Sequence, residues 1–396
     1  MKTSRREGRR IRRAIKRLEK RWARSDALGG LSGVFTFRNL YKAGKKCCNG
    51  VRWKRSVQNF EVRLFSGTAA RRKEVLSGSY KFSPYVHFLL SERGKIRPID
   101  APRIGDRQVE KVFTQKVLLP LYLPSMIWNN GASLPGKGFH FSRKRLEAEL
   151  RAHFRKYGRE GGILLTDGKK FFPSASHEKI YERHNRLILD EDLRAFGDGV
   201  VQTVRSGVGM PLGVEPSQAE MIAYPSAMDN YMKCQMGMDG YGHYMDDFAC
   251  LIPPNMDWRE VLEAMRKQAA KCGITLGTDK TRYVPLTKPF RYCKAKYTLT
   301  EAGKIFVRAN KTTERRDRQK ITAFHRKLQE REMTYEDLWT SVNGMFAYLS
   351  TYDEHKATLR LRRQFFRLFG FSCERIENFR TREALDEIRY IQAVSA

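Results

Sequence analysis

Two adjacent aspartates, Asp246 and Asp247, stand between an aromatic segment and an apolar segment. The flanking residues Tyr241–Tyr244 and Phe248–Ile252 favour short β-strands, so the acidic pair is predicted at the turn of a hairpin. Two carboxylates at a turn repel each other, and a divalent cation shared with a third carboxylate would make the arrangement favourable. A solvated turn is the ordinary alternative, because Asp is a common turn residue. A Tyr-x-Asp-Asp match also arises by chance in roughly one of twenty chains of this length.

A third carboxylate in suitable surroundings is Asp167, which follows the apolar run 162–166. An Asp at the end of a buried strand lies at the rim of a sheet, where it can face a ligand. A loop-capping role is the alternative. Phe172 follows five residues later, and Ser176 is predicted to cap a helix that begins near His177.

Three further segments contain groups that suit phosphates or bases. Lys95 and Arg97 stand at i and i+2, so on a strand both project from one face. Two cations on one face suit a triphosphate, and an ordinary basic hairpin is the alternative. A loop at 207–218, punctuated by glycine and proline, opens a helix predicted from Ser217 to about Met236. The free amides at the start of this helix could face a nucleotide, although this signal is weak alone. The segment 290–297 alternates aromatic and basic residues, a pattern suited to stacking on bases and pairing with phosphates.

The net charge of the chain indicates what kind of partner it binds. The chain has 396 residues and a formal net charge of +33. Such a charge opposes compaction unless a polyanion is present, so nucleic acid is the expected partner. An anionic membrane is the alternative, but no apolar run approaches the roughly 20 residues that span a bilayer, and no secretory signal is recognised. Seven cysteines without zinc-ligand spacing indicate free thiols in a reducing cytosol.

Residues 1–24 are dominated by Arg and Lys, with Ile11, Ile15, Leu18 and Trp22 spaced along one helical face. The pattern predicts a basic amphipathic helix. An arm that grips nucleic acid is the favoured interpretation. A helix that covers the domain surface and an organellar transit peptide are the alternatives.

Taken in chain order, these segments resemble the reverse transcriptase family over roughly residues 80–300. Asp167 with Phe171 and Phe172 is similar to the family's first catalytic motif, and the Tyr244–Asp247 segment to its third. The remaining segments are similar to the second motif, the fourth motif and the primer grip: Met210–Gly213 with Ser217 and Gln218, Lys280 with Thr281, and Phe290–Cys293.

The resemblance implies two-metal nucleotidyl transfer, with Mg²⁺ as the ion and Mn²⁺ as a substitute. Asp167 and Asp246 would be the bridging ligands, supported by Asp247 and the carbonyl of Gly168. Phe172 would be a steric gate that favours deoxynucleotides and argues against a viral RNA polymerase. The expected nucleotide-binding residues are Lys95, Arg97, Phe172, Leu212, Gly213, Ser217, Gln218 and Lys280. The expected primer and template contacts are Tyr244, Met245, Phe290, Tyr292 and Cys293.

The implied fold is α+β, a right-hand polymerase with fingers, a palm built on an antiparallel sheet, and a helical thumb. The predicted segments are a basic N-terminal helical extension at 1–50, mainly fingers at 51–163, a palm with the second motif and primer grip at 164–298, and a thumb at 299–396. The expected partners are a template RNA, a DNA or RNA primer and dNTPs, with no membrane.

One departure narrows the subfamily. Leu212 stands where many reverse transcriptases have Gln, and Gln218 stands where Pro is usual. This pattern resembles bacterial and phage enzymes of diversity-generating retroelements, which copy with errors and work with a basic helical-bundle accessory protein. Antiphage-defence reverse transcriptases, whether templated or untemplated, and a non-catalytic RNA-binding scaffold are the alternatives. The expected location is the cytoplasm of a bacterial or phage-infected cell.

Overall fold

The computed structural model describes residues 5–92 and 95–395. Helices and antiparallel strand pairs are mixed along the chain, which confirms the predicted α+β class. The chain divides into two compact units, residues 1–146 with 164–283 and residues 147–163 with 284–396. Among the described residues, no helix is both long and apolar enough to cross a bilayer.

The chain begins with helices. They are α1 (Arg5–Asp26), α2 (Gly30–Val34), α3 (Phe37–Cys48), α4 (Arg55–Val62) and α5 (Leu64–Leu76). The predicted amphipathic helix at the start is confirmed, and its four large apolar side chains lie 40–49% exposed: Ile11, Ile15, Leu18 and Trp22. Thr36 caps α3, since its side chain accepts a hydrogen bond from the amide of Asn39.

A two-stranded hairpin and a helical segment follow. The strands are β1 (Val86–Glu92) and β2 (Lys95–Ala101), which pair antiparallel. The helices are α6 (Ile104–Phe113), a π-helical turn (Thr114–Leu118), α7 (Leu119–Tyr122) and α8 (Phe139–Tyr157). One core cluster of the first unit is built on α6 and α7, with Val109, Phe113 and Tyr122 almost fully buried.

A four-stranded sheet is the frame of the first unit, in the order β4–β5–β3–β6. The strands are β3 (Gly162–Asp167), β4 (Tyr241–Tyr244), β5 (Asp247–Ile252) and β6 (Arg282–Pro285). All six residues of β3 are buried, as the apolar run predicts. Its helices are α9 (His177–Leu187), α10 (Glu191–Gln202), α11 (Glu215–Ala223), α12 (Ser226–Asn230), a π-helical turn (Tyr231–Gln235) and α13 (Trp258–Lys271).

Local sequence explains several helix ends. Ser176 caps α9 as predicted, and Asp190 and Asp257 cap α10 and α13 in the same way. The long helix predicted from Ser217 to about residue 236 is wrong in extent. It begins at Glu215 and breaks into α11, α12 and a π-helical turn, because Pro225 cannot donate a backbone hydrogen bond inside a helix.

The second unit joins a small sheet to a helical bundle. Its strands β7 (Phe290–Tyr292), β8 (Ala295–Leu299) and β9 (Ile305–Arg308) form an antiparallel sheet. Its helices are α14 (Lys311–Gln329), α15 (Tyr335–Leu349), α16 (His355–Phe369) and α17 (Ile376–Ser395). Helix α14 packs on α16 and α15 packs on α17.

Candidate active site

The end of β3 and the tip of the β4–β5 hairpin meet at one point of the first unit. The amide of Gly168, directly after Asp167, donates a 2.9 Å hydrogen bond to the carbonyl oxygen of Asp246. Tyr244 pairs with Asp247 across the hairpin, so Met245 and Asp246 form the turn between them. The structure therefore brings together the three carboxylates that the sequence singled out.

An ammonium group lies among these carboxylates. Lys280 Nζ donates to Asp167 Oδ2. This hydrogen bond, followed by the negative charges of Asp167, Asp247 and Asp246, raises the pKa of Lys280. The pKa of Asp246 is also raised, mainly because the carboxyl is desolvated, and the charge of Asp167 adds to the effect while Lys280 opposes it. The site therefore favours a positive charge between the carboxylates.

The segment 275–281 docks on the end of β3 and holds Asp167. The amide of Gly277 donates to the carbonyl oxygen of Asp167 at 2.8 Å, and the amide of Lys169 donates to that of Thr275 at 2.8 Å. A Cβ at position 277 would lie 2.7 Å from Asp167 Oδ1, so any larger residue there would force this carboxylate to shift. The Thr166 and Thr281 hydroxyls are 2.7 Å apart and share a hydrogen bond.

The basic hairpin is attached to the same region. The amide of Asp100 donates a 2.9 Å hydrogen bond to the carbonyl oxygen of Leu212, which joins β2 to the second motif. The charge of Arg97 opposes part of the rise in the pKa of Asp246, so the guanidinium acts electrostatically on the carboxylate site. The side chain of Lys95 lies outside the described residues.

The loop 207–214 is anchored to the segment after Asp167. The amide of Met210 donates to the carbonyl oxygen of Phe172 at 2.9 Å, and that of Gly209 donates to Ala175 at 2.7 Å. The ring of Phe172 is partly buried against the core beneath the sheet. The structure thus connects the expected sugar gate to the second motif, which sequence spacing alone does not indicate.

A polar cavity of about 460 Å³ adjoins this loop. Gly213 and Gln218 line it, as do Arg107 and Glu110 from α6. Glu110 is 1% exposed, and neither of its carboxyl oxygens has a hydrogen-bond partner among the described residues. Ser217, which was expected to bind nucleotide, is instead buried, and its hydroxyl contacts no partner within the described chain.

The chemistry of the site fits a divalent metal ion. The described residues contain no group of three or more His, Cys, Asp or Glu side chains already arranged to hold one. A ready-made cage is not required, because Mg²⁺ at phosphate-binding sites takes one or two carboxylates and completes its shell with water and substrate phosphates. Asp167 and Asp246 supply hard oxygen ligands, and the ammonium of Lys280 already occupies a place for positive charge beside them.

The expected primer and template residues divide into two groups. Tyr244 and Met245 pack beside a small cluster of Ala132, Leu134 and Ile222, next to the carboxylates. The others belong to the second unit and are buried: Phe290, Tyr292 and Cys293. Rings at 3% and 8% exposure cannot stack on bases, which corrects the expectation for Phe290 and Tyr292.

The outer face of that small sheet is basic instead. Arg291 lies between the two buried rings of β7 and is exposed, and it pairs in register with Lys296, which in turn pairs with Arg308. The cations of this segment suit phosphates, as its sequence predicts, but the expected primer and template contacts included only its aromatic residues and Cys293. The period-two alternation of a half-buried strand was the signal that distinguishes the two faces.

Two buried residues beneath the hairpin were also missed as contributors to the site. Asp229 and His243 are fully buried, and His243 contacts the turn that carries Asp246. The sequence offers no signal for Asp229, since its pairing with position 243 depends on how α12 packs against β4.

Comparison with known proteins agrees with this geometry. The family model described as reverse transcriptase (RNA-dependent DNA polymerase) matches residues 86–296, which is 211 of the 396 residues. No curated protein matches the sequence. A solved structure of telomerase from Candida albicans, in complex with a TWJ fragment of telomeric RNA, is similar at 12% identity with a TM-score of 0.45. That match covers 73% of this chain and 61% of the telomerase chain, so this chain spans less than two thirds of that protein.

The matched range contains the strand end, the second-motif loop, the acidic hairpin and Lys280, and it confirms the expected polymerase fold. Because the family model covers more than half of its length, this chain belongs to the reverse transcriptase family.

Proposed function

We propose that the chain is an RNA-directed DNA polymerase that extends a DNA or RNA primer with dNTPs along an RNA template. The observation that carries the proposal is the junction of Gly168 with Asp246, which brings the strand-end carboxylate to the acidic turn. Primer extension is an in-line displacement at phosphorus, and it needs positioning and charge neutralisation more than covalent chemistry. The net charge of +33 suits a nucleic-acid substrate.

The residues divide the work as follows. Asp167 and Asp246 would hold two Mg²⁺ ions, with Asp247 and the Gly168 carbonyl in support, and Mn²⁺ would serve in place of Mg²⁺. When bound, the metal lowers the pKa of the primer 3′-hydroxyl and neutralises charge on the pyrophosphate. Arg97 and Lys95 bind the triphosphate, and Lys280 pairs with the departing pyrophosphate.

Selection of substrate falls to the residues around the second motif. Phe172 lies beneath the sugar and excludes a 2′-hydroxyl, and its backbone hydrogen bond to Met210 keeps this gate in register with the loop. Leu212, Gly213 and Gln218 surround the nascent base pair. Leu212 is joined to β2 through its carbonyl oxygen, and its side chain is partly buried.

Within the family we place the chain with the error-prone enzymes of diversity-generating retroelements, acting in the cytoplasm of a bacterial or phage-infected cell. Leu212 supports this placement, because an aliphatic side chain removes a hydrogen-bond anchor near the templating pair. A basic helical-bundle protein would be its accessory partner. We assign the extension, fingers, palm and thumb to residues 1–50, 51–163, 164–298 and 299–396. Sequencing the copied product tests the fidelity: accurate copies would contradict the placement.

Primer extension by the purified chain tests the polymerase assignment. We expect incorporation of dNTPs on an RNA template with Mg²⁺, and a loss of about 10³-fold or more in Asp246→Asn, because metal ligation contributes several kcal/mol. Asp239→Asn, at an exposed loop position, is the matched control. Full activity in Asp246→Asn would refute the assignment. RNA binding without any incorporation by the wild type would favour a non-catalytic scaffold, and extension without template would reveal untemplated synthesis.

A further inference from the structure

Three fully buried polar side chains beneath the acidic turn are joined by hydrogen bonds. Tyr241 donates its hydroxyl to Asp229 Oδ1 at 2.8 Å, and His243 Nε2 lies 3.1 Å from Asp229 Oδ2. The other ring nitrogen, His243 Nδ1, lies 3.1 Å from the carbonyl oxygen of Met245. The side chains of Tyr241, Asp229 and His243 are all 0% exposed.

The contacts of His243 indicate which ring nitrogen donates a hydrogen bond to the turn. A carbonyl oxygen only accepts hydrogen bonds, so Nδ1 must carry a proton that it donates to Met245. Nε2 faces the carboxyl of Asp229 and forms the second hydrogen bond of the ring. Because buried polar groups are costly when unpaired, this arrangement holds the ring in a single orientation.

The carbonyl that the ring grips lies at a strained point of the backbone. Met245 has a φ of +53°, in the left-handed region that a residue with a side chain seldom adopts. Its carbonyl belongs to the same planar peptide group as the amide nitrogen of Asp246. A hydrogen bond that fixes this oxygen therefore fixes the orientation of the peptide from which the Asp246 side chain starts.

The backbone of His243 is also held from its other side. Its amide donates to the carbonyl oxygen of Asn129 at 3.2 Å, and its carbonyl accepts from the amide of Gly131 at 3.1 Å. The loop 129–131 thus occupies the free edge of β4. The ring cannot follow a shift of the turn unless this loop shifts as well.

We propose that His243 and Asp229 are positioning residues of the polymerase site. Asp229 sets the orientation of the His243 ring, His243 holds the Met245–Asp246 peptide, and this peptide presents the Asp246 carboxylate to a divalent ion. The inference rests on the proposed function, since it assigns the metal-binding role to Asp246. It adds two residues that never touch substrate and act only through the turn.

Two conservative variants separate the two bonds of the ring. In His243→Asn, the amide nitrogen falls close to the place of Nδ1, so it can donate to Met245 but cannot reach Asp229. In His243→Gln, the longer amide reaches Asp229 and leaves the Met245 carbonyl without its donor. Each variant loses one buried hydrogen bond, so both should be destabilised to a similar degree. Ile252→Val, at the far end of β5, is a control for core destabilisation alone.

We expect the two variants to differ in catalysis. His243→Gln should lose about 10²-fold in kcat, because a misplaced catalytic group is costly, with KM for dNTP little changed. His243→Asn should lose clearly less in kcat than His243→Gln, because its amide still donates to Met245 although Asp229 no longer orients it. Binding of Mn²⁺ alone to the free protein, followed by electron paramagnetic resonance with Asp246→Asn as the blank, should weaken in His243→Gln and persist in His243→Asn.

The outcomes are separable. Equal kcat and equal Mn²⁺ affinity in the Asn and Gln variants, with only melting temperature lowered as in Ile252→Val, would overturn the positioning role. If the wild type fails to extend any primer but the Mn²⁺ affinities differ as described, the polymerase assignment fails and the positioning role stands. If primers are extended and neither measurement separates the two variants, the positioning role fails and the polymerase assignment stands.

Discussion

Gly277→Ala is the sharpest perturbation of the site, because it adds one methyl group beside a single carboxylate oxygen of Asp167, a proposed metal ligand. The added Cβ would lie 2.7 Å from Asp167 Oδ1, whereas ordinary contact begins at 3.4 Å. The backbones on both sides are joined by the hydrogen bond from Gly277 to the carbonyl oxygen of Asp167. The carboxylate must therefore make up the difference by turning, and Asp167 is only 7% exposed, so few directions are open to it.

The size of the effect follows from this overlap. The shortfall from ordinary contact is about 0.7 Å, which is large on the scale of a van der Waals well. A displacement near 1 Å of a group that binds the reacting atoms costs about 10²-fold in rate. The turned carboxylate would also lose its present geometry with Lys280. We expect kcat to fall by about 10²-fold, with little change in KM for dNTP.

Steady-state primer extension with saturating primer–template and varied dNTP measures both constants. Gly199→Ala is the matched control, because a Cβ there meets nothing within 4 Å and the residue lies inside α10. That substitution should leave kcat unchanged and stabilise the helix by roughly 0.5–1 kcal/mol. Unchanged kcat in a folded Gly277→Ala protein would refute the claim that Asp167 must keep this orientation.

Three further outcomes are expected. Phe172→Ala should raise ribonucleotide incorporation in competition with dNTP, and an unchanged ratio would remove its gate role. Arg97→Ala should raise KM for dNTP by about 10–100-fold at similar kcat, as the loss of a charge-assisted bond predicts, and an unaltered dNTP titration would contradict this. Burial, then the charges of Asp106 and Glu215, raises the pKa of Glu110 to about 8. A raised carboxyl pKa loses stability as the pH rises, so urea unfolding should show the wild type losing up to about 4 kcal/mol between about pH 5 and pH 8. Glu110→Gln should lack this slope, and parallel pH profiles would show that Glu110 is not the cause.

Much of the fold could be predicted from local sequence patterns. The apolar run before Asp167 has the length of a buried strand, and the structure gives β3 with every residue buried. Ser176 is a standard cap residue and caps α9 as expected. The acidic turn could be placed because strand-forming residues flank it on both sides, and β4 and β5 pair there. Each of these features depends on neighbours within a few residues, which a single sequence displays directly.

The features that could not be predicted depend on contacts between distant segments. The grip of Gly277 on Asp167 joins positions 110 residues apart, and no local pattern marks a glycine as the partner of a particular carboxylate. The pairing of Asp229 with His243 likewise depends on how a short helix packs against β4. The burial of Phe290 and Tyr292 could have been predicted, because the alternation of a half-buried strand places both rings on its inner face. The expectation that these rings stack on bases rested on the composition of the segment instead.

The ammonium of Lys280 beside the acidic turn would be displaced when a divalent ion binds. Burial raises the pKa of Asp246 and the charge of Asp167 adds to the rise, while Lys280, which bonds to Asp167, opposes it. A divalent ion on Asp167 would take over this neutralisation and release the ammonium. Lys280 is 64% exposed along its side chain, so it can turn away without crossing the core. The same group can therefore stabilise the site before substrate arrives and meet the pyrophosphate afterwards, and removing it should ease metal binding while slowing the chemical step.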